Sequence, residues 1–140
     1  MNIEYTRDLS LISEESLSGG FFVGWPNPPD NSAFLRILQN SYCAFVAINP
    51  QNSRVIGFIN AVSDGVLAAY IPLLEVLPEE QGKGIGSELM RLMLEYLKDF
   101  YMVDIVHDES LSPFYAKFGF LASRASLIRN YKAQSGIVVS

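Results

Sequence analysis

"LPEEQGKGIGSELMRLMLEYLKDF", residues 77–100, decides the reading of this chain. It places Gly82, Gly84 and Gly86 within five positions, where an apolar run ends and a helical pattern begins. One glycine is enough for a turn. Three at a strand-to-helix junction suggest that something must come close to the main chain. The first amides of a helix have no internal partner, and the helix dipole adds roughly half a positive charge there, so an anion has physical reason to bind. Lys83 supplies a mobile positive charge and Gln81 a neutral donor. Glu79 and Glu80, just upstream, are expected to point into water.

Ahead of the loop, "RVIGFINAVS" and "LAAYIPLLEVL" read as strands joined at Asp64-Gly65, a strong tight-turn signal. "YCAFVAIN" reads as an earlier strand, and the short turns make these three an antiparallel meander. After the loop, Leu89, Met93, Tyr96, Leu97 and Phe100 recur at helical spacing. "MVDIV" is then a short strand, parallel to the one before the helix, because a strand–helix–strand passage implies it. "SPFYAKFGF" reads as a short helix started by Pro113 and ended by Gly119.

At the N-terminal end "NIEYT" gives a first strand, and "DLSLISEESL" a weak helix capped by Asp8 or Ser10. "FFVGWPNPPD" carries three prolines and reads as a stiff loop. Asp30 or Ser32 caps the helix "NSAFLRILQN". "FLASRASLIRNY" is expected to close the set as one or two strands. Residues 131–140 form either a loose tail or an edge strand. The expected fold class is therefore α/β, or α+β by some conventions: a mixed, mostly antiparallel central sheet with helices on both faces, in a single domain over residues 1–140.

Composition narrows the function. The chain has 140 residues, 49% hydrophobic and 18% charged, with a net charge of −5. These values suit a packed core and argue against a general nucleic-acid or anionic-membrane binder. The single cysteine, Cys43, allows no intramolecular disulfide, and no Cys/His cluster has zinc spacing, so no metal is expected. With no basic start followed by an apolar signal core, and no run near the ~18 apolar residues of a membrane span, a cytoplasmic protein is expected.

Three anion-binding motifs compete for the glycine loop. A Walker A loop fails because Gly84, not Ser or Thr, follows Lys83. The dinucleotide fingerprint fails because Ser87 stands where its last glycine belongs. The pattern Gln/Arg-x-x-Gly-x-Gly/Ala fits at Gln81, Gly84 and Gly86. With that pattern, "LLEVLPEEQGKGIGSELM" resembles the acetyl-coenzyme A motif of the GNAT superfamily of N-acetyltransferases. "SPFYAKFGF" is similar to the family's later signature, and the two blocks stand in the family's order, with the resemblance covering roughly residues 3–130.

The resemblance implies an N-acetyltransferase that uses acetyl-CoA as cosubstrate and a primary amine, on a small molecule or a peptide, as acceptor. A homodimer is left open. The strand before the loop should splay from its neighbour, leaving Glu75, Val76 and Leu77 to pair with the acyl-pantetheine arm. The pyrophosphate should lie on Gln81, Gly82, Lys83, Gly84, Ile85 and Gly86, together with Ser87. Tyr115 matches the tyrosine that many members use as general acid. A phenol with a pKa near ~10 stays protonated beside a departing thiolate whose thiol has a pKa near ~8.5. Glu75 is the first candidate for general base and His107 the second, each also readable as structural. Asp108 stands where many members have an asparagine, which puts that contact in doubt. Trp25 could line the acceptor pocket or pack its own loop. A non-catalytic acyl-CoA sensor on the same fold would need the glycine loop but not Tyr115.

Overall fold

The computed structural model describes residues 2–137. Five strands form one sheet in the order β1-β2-β3-β4-β5: Glu4–Thr6, Cys43–Asn49, Arg54–Ser63, Ala68–Val76 and Met102–Ile105. The first four pair antiparallel, and β5 pairs parallel with β4. That is the meander and crossover expected from the sequence. The helices are α1 (Asn31–Gln39), α2 (Ile85–Tyr96) and α3 (Ser112–Ala116).

Both faces of the sheet are covered, so its central strands lack the usual polar alternation. Along β2, Cys43, Phe45 and Ala47 face α2, where Leu89, Met90 and Met93 are fully buried. Ala44, Val46 and Ile48 face α1, with Phe34 and Leu38. Phe21, Phe22, Phe34 and Phe58 make edge-on and tilted contacts there, with ring centroids 4.7–6.1 Å apart. Such pairs contribute about 0.5–1.5 kcal/mol each beyond their buried area. Cys43 is buried within the α2-side core.

Local chemistry sets the helix ends. Asp30 caps α1 by accepting the Ala33 N–H at 2.8 Å, and Asn40 closes it by donating to the Arg36 carbonyl. Gly84, in the left-handed region at φ 83°, starts α2. Tyr96 ends α2 and lies largely outside the core, with the Arg7 guanidinium over its ring at 4.6 Å.

Three expectations are corrected. "DLSLISEESL" forms two 3-10 turns, Leu9–Leu11 and Glu15–Leu17, instead of one helix. Its short polar side chains hydrogen-bond locally: Asp8 accepts from Ser10, and Ser16 Oγ accepts the Ser13 N–H. Those bonds compete with a helical ladder. Residues 121–130 form no strand and pair with none of the five strands. Of the tail, residues 131–137 make a 3-10 turn (Tyr131–Ala133) tied to the proline loop; residues 138–140 lie outside the described residues.

Candidate active site

The site begins with β4. Its first half, Ala68 to Ile71, pairs with both β3 and β5; beyond Ile71 only β3 remains beside it. Pro72 stands at the parting. Between Tyr70 and Leu73 the strand takes three steps while β3 takes two, from Val62 to Asn60, so β4 carries an extra residue. A bulge bends its strand, and proline, with no N–H for a ladder, is tolerated at one. The outer backbone edge of Leu73–Val76 is thereby left without a strand partner among the described residues. Pro72 is the residue that sequence reasoning missed; a proline inside an otherwise clean strand was the available signal.

Leu77 does not extend this edge. Its N–H donates to the Ile56 carbonyl at 2.9 Å, its carbonyl accepts from Glu80, and its side chain is fully buried. The expectation that it pairs with an incoming arm is corrected to a core anchor. Gln81 turns back to donate to the Val76 carbonyl at 3.1 Å, which holds the loop against the end of β4.

Gly82 and Gly84 have φ of 80° and 83°, a region L side chains rarely adopt, and a Cβ at either would meet no protein atom within 4 Å. Backbone conformation is thus a sufficient reason for both glycines, and the space over them is open. Gly86 has an ordinary φ, and a Cβ there would touch Val76 at 3.7 Å. Ile85 sends its side chain into the core, which leaves its amide, with those of Gly86 and Ser87, at the open start of α2. Lys83 pairs with Glu80 at 2.8 Å and Arg54 with Glu79 at 3.2 Å, so neither glutamate simply points into water.

Glu75 projects from the open half of β4. One carboxylate oxygen accepts the Phe22 N–H at 2.9 Å, and Phe22 holds a left-handed φ of 61° to present it. Burial raises the Glu75 pKa, and the Phe22 hydrogen bond pulls partly the other way. A groove of about 340 Å³ runs beside it, lined by Gly20, Trp25, Leu74, Glu75, Val76 and Gln81, among others. Trp25 lines this groove and packs on its own loop through Phe22, centroids 4.8 Å apart. A larger open hollow of about 480 Å³ lies between Ser13–Gly19 and Asn52–Arg54. Its guanidinium is already taken by the Ser18 and Gly19 carbonyls, so it offers no comparable chemistry.

Beyond β5, His107 and Tyr115 stack at 4.4 Å with rings 29° apart. Tyr115 is 6% exposed, and burial raises its pKa, so the phenol stays protonated through neutral pH. Phe114 and Phe120 pack edge-on against it. His107 Nδ1 lies 2.7 Å from the Asp108 carbonyl; a carbonyl only accepts, so Nδ1 carries a proton and Nε2 faces away from that bond. The Asp108 carbonyl also accepts from Leu111, and its side chain makes no hydrogen bond among the described residues. The fold thus brings His107 and Tyr115 together. Glu75's hydrogen bond goes to Phe22, and neither His107 nor Tyr115 hydrogen-bonds to it among the described residues.

A mixed sheet that parts beside a glycine-rich helix entrance is the arrangement the resemblance implied. The model of the acetyltransferase (GNAT) family matches residues 12–120, and the chain belongs to that family. A crystal structure of a proposed acetyltransferase from Deinococcus radiodurans R1 superposes with a TM-score of 0.92 at 44% identity, covering 98% of this chain and 94% of the other. The chain is 34% identical over 119 residues to GCN5-related N-acetyltransferase 3, chloroplastic, of Arabidopsis thaliana, spanning 81% of this chain and 48% of that one. It is 36% identical over 96 residues to an uncharacterized N-acetyltransferase (ycf52-like) of Prochlorococcus marinus, covering 66% of this chain and 51% of the other. The chain spans about half the length of these last two relatives.

Proposed function

We propose that this chain is an N-acetyltransferase, one domain that moves an acetyl group from acetyl-CoA to a primary amine by direct attack. The observation that carries the reading is the parting of β4 from β5 between a glycine-rich helix entrance and a buried tyrosine. The free edge of Leu73–Val76 would pair with the amide-bearing arm of the cosubstrate as an added strand. The amides of Gly82 to Ser87 would take its phosphates, Gln81 keeping that turn against β4. Lys83, half exposed in the same loop, would exchange its Glu80 partner for a phosphate.

Tyr115, protonated and largely enclosed, would hydrogen-bond and protonate the departing thiolate. Glu75 would accept the amine's proton, directly or through a water molecule. Its raised pKa makes it a stronger base than an exposed glutamate, and its groove gives an amine access. His107 is the second candidate for that task, its Nε2 lone pair being free of the Asp108 bond. The acceptor is a small-molecule or peptide amine that fits beside Trp25.

The test is a screen of amines with acetyl-CoA, following release of free thiol, beside thermal shifts with acetyl-CoA, CoA, ATP and NAD. A ligand specific for the native state raises the melting temperature by mass action. Acetyl-CoA should do so and ATP and NAD should not. A shift with acetyl-CoA but no turnover on any amine would favour the acyl-CoA sensor. A response only to ATP or NAD would sink both readings.

A further inference from the structure

The groove beside Glu75 has two walls from distant parts of the chain. Gly20, Val23 and Trp25 form one; Pro78 and Gln81, on the approach to the glycine loop, form the other. The first wall is bent away from ordinary backbone geometry. Gly19 and Gly20 have φ of 116° and 118°, and Phe22, a bulky residue, holds 61°. A left-handed φ at such a residue costs free energy and persists only where the surroundings enforce it.

At the Phe22 end the enforcement comes from the packed phenylalanines and the Glu75 carboxylate. At the other end one side chain supplies it. Arg54, the first residue of β3, donates from Nε to the Ser18 carbonyl at 3.2 Å and from Nη2 to the Gly19 carbonyl at 2.7 Å. The same Nη2 lies 3.2 Å from Glu79 Oε1, in the 3-10 turn Pro78–Glu80 that belongs to the second wall. A Cβ at Gly19 would collide with that nitrogen, so close approach of the guanidinium is itself a reason for the glycine. The planar fork of an arginine can serve two successive carbonyls and a carboxylate at once, which the point charge of a lysine does not. One group thus spans the groove from wall to wall, three residues ahead of the amide that Glu75 accepts.

We infer that Arg54 is a positioning residue for Glu75: it ties the Ser18–Gly19 carbonyls to the Glu79 turn, sets the spacing of the groove walls and keeps the Phe22 N–H on the Glu75 carboxylate. Arg54 does not line the groove, so its effect on the reaction passes through the wall. The inference rests on the reading of Glu75 as the base.

The experiment has a structural arm and a kinetic arm. Amide hydrogen exchange followed by NMR compares Phe22 with Met93, whose buried place in α2 makes it a reporter of general opening. Arg54→Met keeps an apolar stem and removes every donor, so Phe22 exchange should rise roughly tenfold relative to Met93. Arg91→Met, which breaks an exposed ion pair with Glu88 on α2, should leave Phe22 unchanged. In the kinetic arm, Arg54→Met should lower kcat/KM for the best amine of the screen roughly tenfold, the scale of a small misplacement near the chemistry, while CoA affinity by calorimetry holds. In a Glu75→Gln background the same substitution should cost far less, because nothing is left to position. Should Arg54→Met not fold, Glu79→Gln carries the test: it loses one half-exposed ion pair and should raise Phe22 exchange by a smaller factor.

Unchanged Phe22 exchange overturns the inference, as does an equal kinetic cost with and without Glu75. A fall in CoA affinity matching the fall in rate also overturns it, since Arg54 would then serve the phosphate loop. Should wild type turn over no amine, the reading of the reaction falls, and Phe22 exchange alone upholds or overturns the hold of Arg54 on the wall.

Discussion

The two halves of β4 share one strand and differ in one neighbour. Ala68–Ile71 lies between β3 and β5, with Ala69 and Ile71 buried. Leu73–Val76 keeps β3 and loses β5, and all four of its residues are only half-buried. The closed half fixes the position of the strand; the open half presents backbone and the Glu75 carboxylate. One proline and one extra residue convert a structural strand into a surface that can receive another chain. Rigidity and access are thus adjacent along nine residues instead of being assigned to a core and a loop.

Substitutions can test that contrast directly. Ile71→Ala should cost about 2–5 kcal/mol by urea denaturation, the range for truncating a fully buried aliphatic side chain. Leu74→Ala, in the open half, should cost less than half as much. Equal losses would mean that the two halves do not differ in packing.

Tyr115→Phe probes the region beyond β5. It keeps the ring that stacks on His107, so melting should change little while turnover falls by roughly 10²-fold. Cosubstrate affinity should hold, since a contact made mainly in the transition state lowers kcat. A wild-type rate would remove the phenol from the chemistry.

Gly84→Val probes the helix entrance next to the open half. At φ 83° a branched residue is strained and would project over the open helix start. CoA affinity by calorimetry should fall roughly tenfold or more, the scale of a lost phosphate contact with helix amides. Unchanged affinity in a folded variant would move the phosphates elsewhere.

The smallest effect belongs to Glu75→Gln and is read against pH. Burial holds the Glu75 pKa above its ordinary value of 4.5, so the fold favours the protonated form. The resulting stability is present below pH 4.5 and is lost as pH rises through the raised pKa. Wild type should therefore lose melting temperature relative to the glutamine variant across that window and run parallel to it above. If Glu75 is the base, kcat/KM should rise through the same window in wild type and lack that limb in the variant.

The meander, the parallel β5, α2 and the Asp30 cap were legible because each carries its cause locally: alternation or helical spacing, a turn pair, a capping carboxylate. The parting of the sheet was expected only through family resemblance. Its physical sign is Pro72, a single residue inside the apolar run "LAAYIPLLEVL". Leu77 was given a ligand-facing role by the resemblance, and its hydrogen bonds with Ile56 and Glu80 anchor it in the core, while Gln81 also ties the loop to Val76. "FLASRASLIRNY" has the composition of strands but no ladder, since strand propensity expresses itself only against a neighbour. The His107–Tyr115 stack joins the end of β5 to α3 across the 3-10 turn Glu109–Leu111, and no single periodicity could have announced it.

The burial of Cys43 has a practical corollary for enzymology. It is the only thiol the protein owns, 5% exposed, and its surroundings push its pKa to about 11. The thiolate is the reactive form, so at neutral or mildly alkaline pH this sulfur is almost wholly silent toward disulfide reagents and alkylating agents. In an assay of the proposed activity, released coenzyme A would then be the one nucleophilic sulfur a colorimetric reagent finds. Initial rates can be read without an enzyme blank, and a rising background would itself report that the sheet had opened.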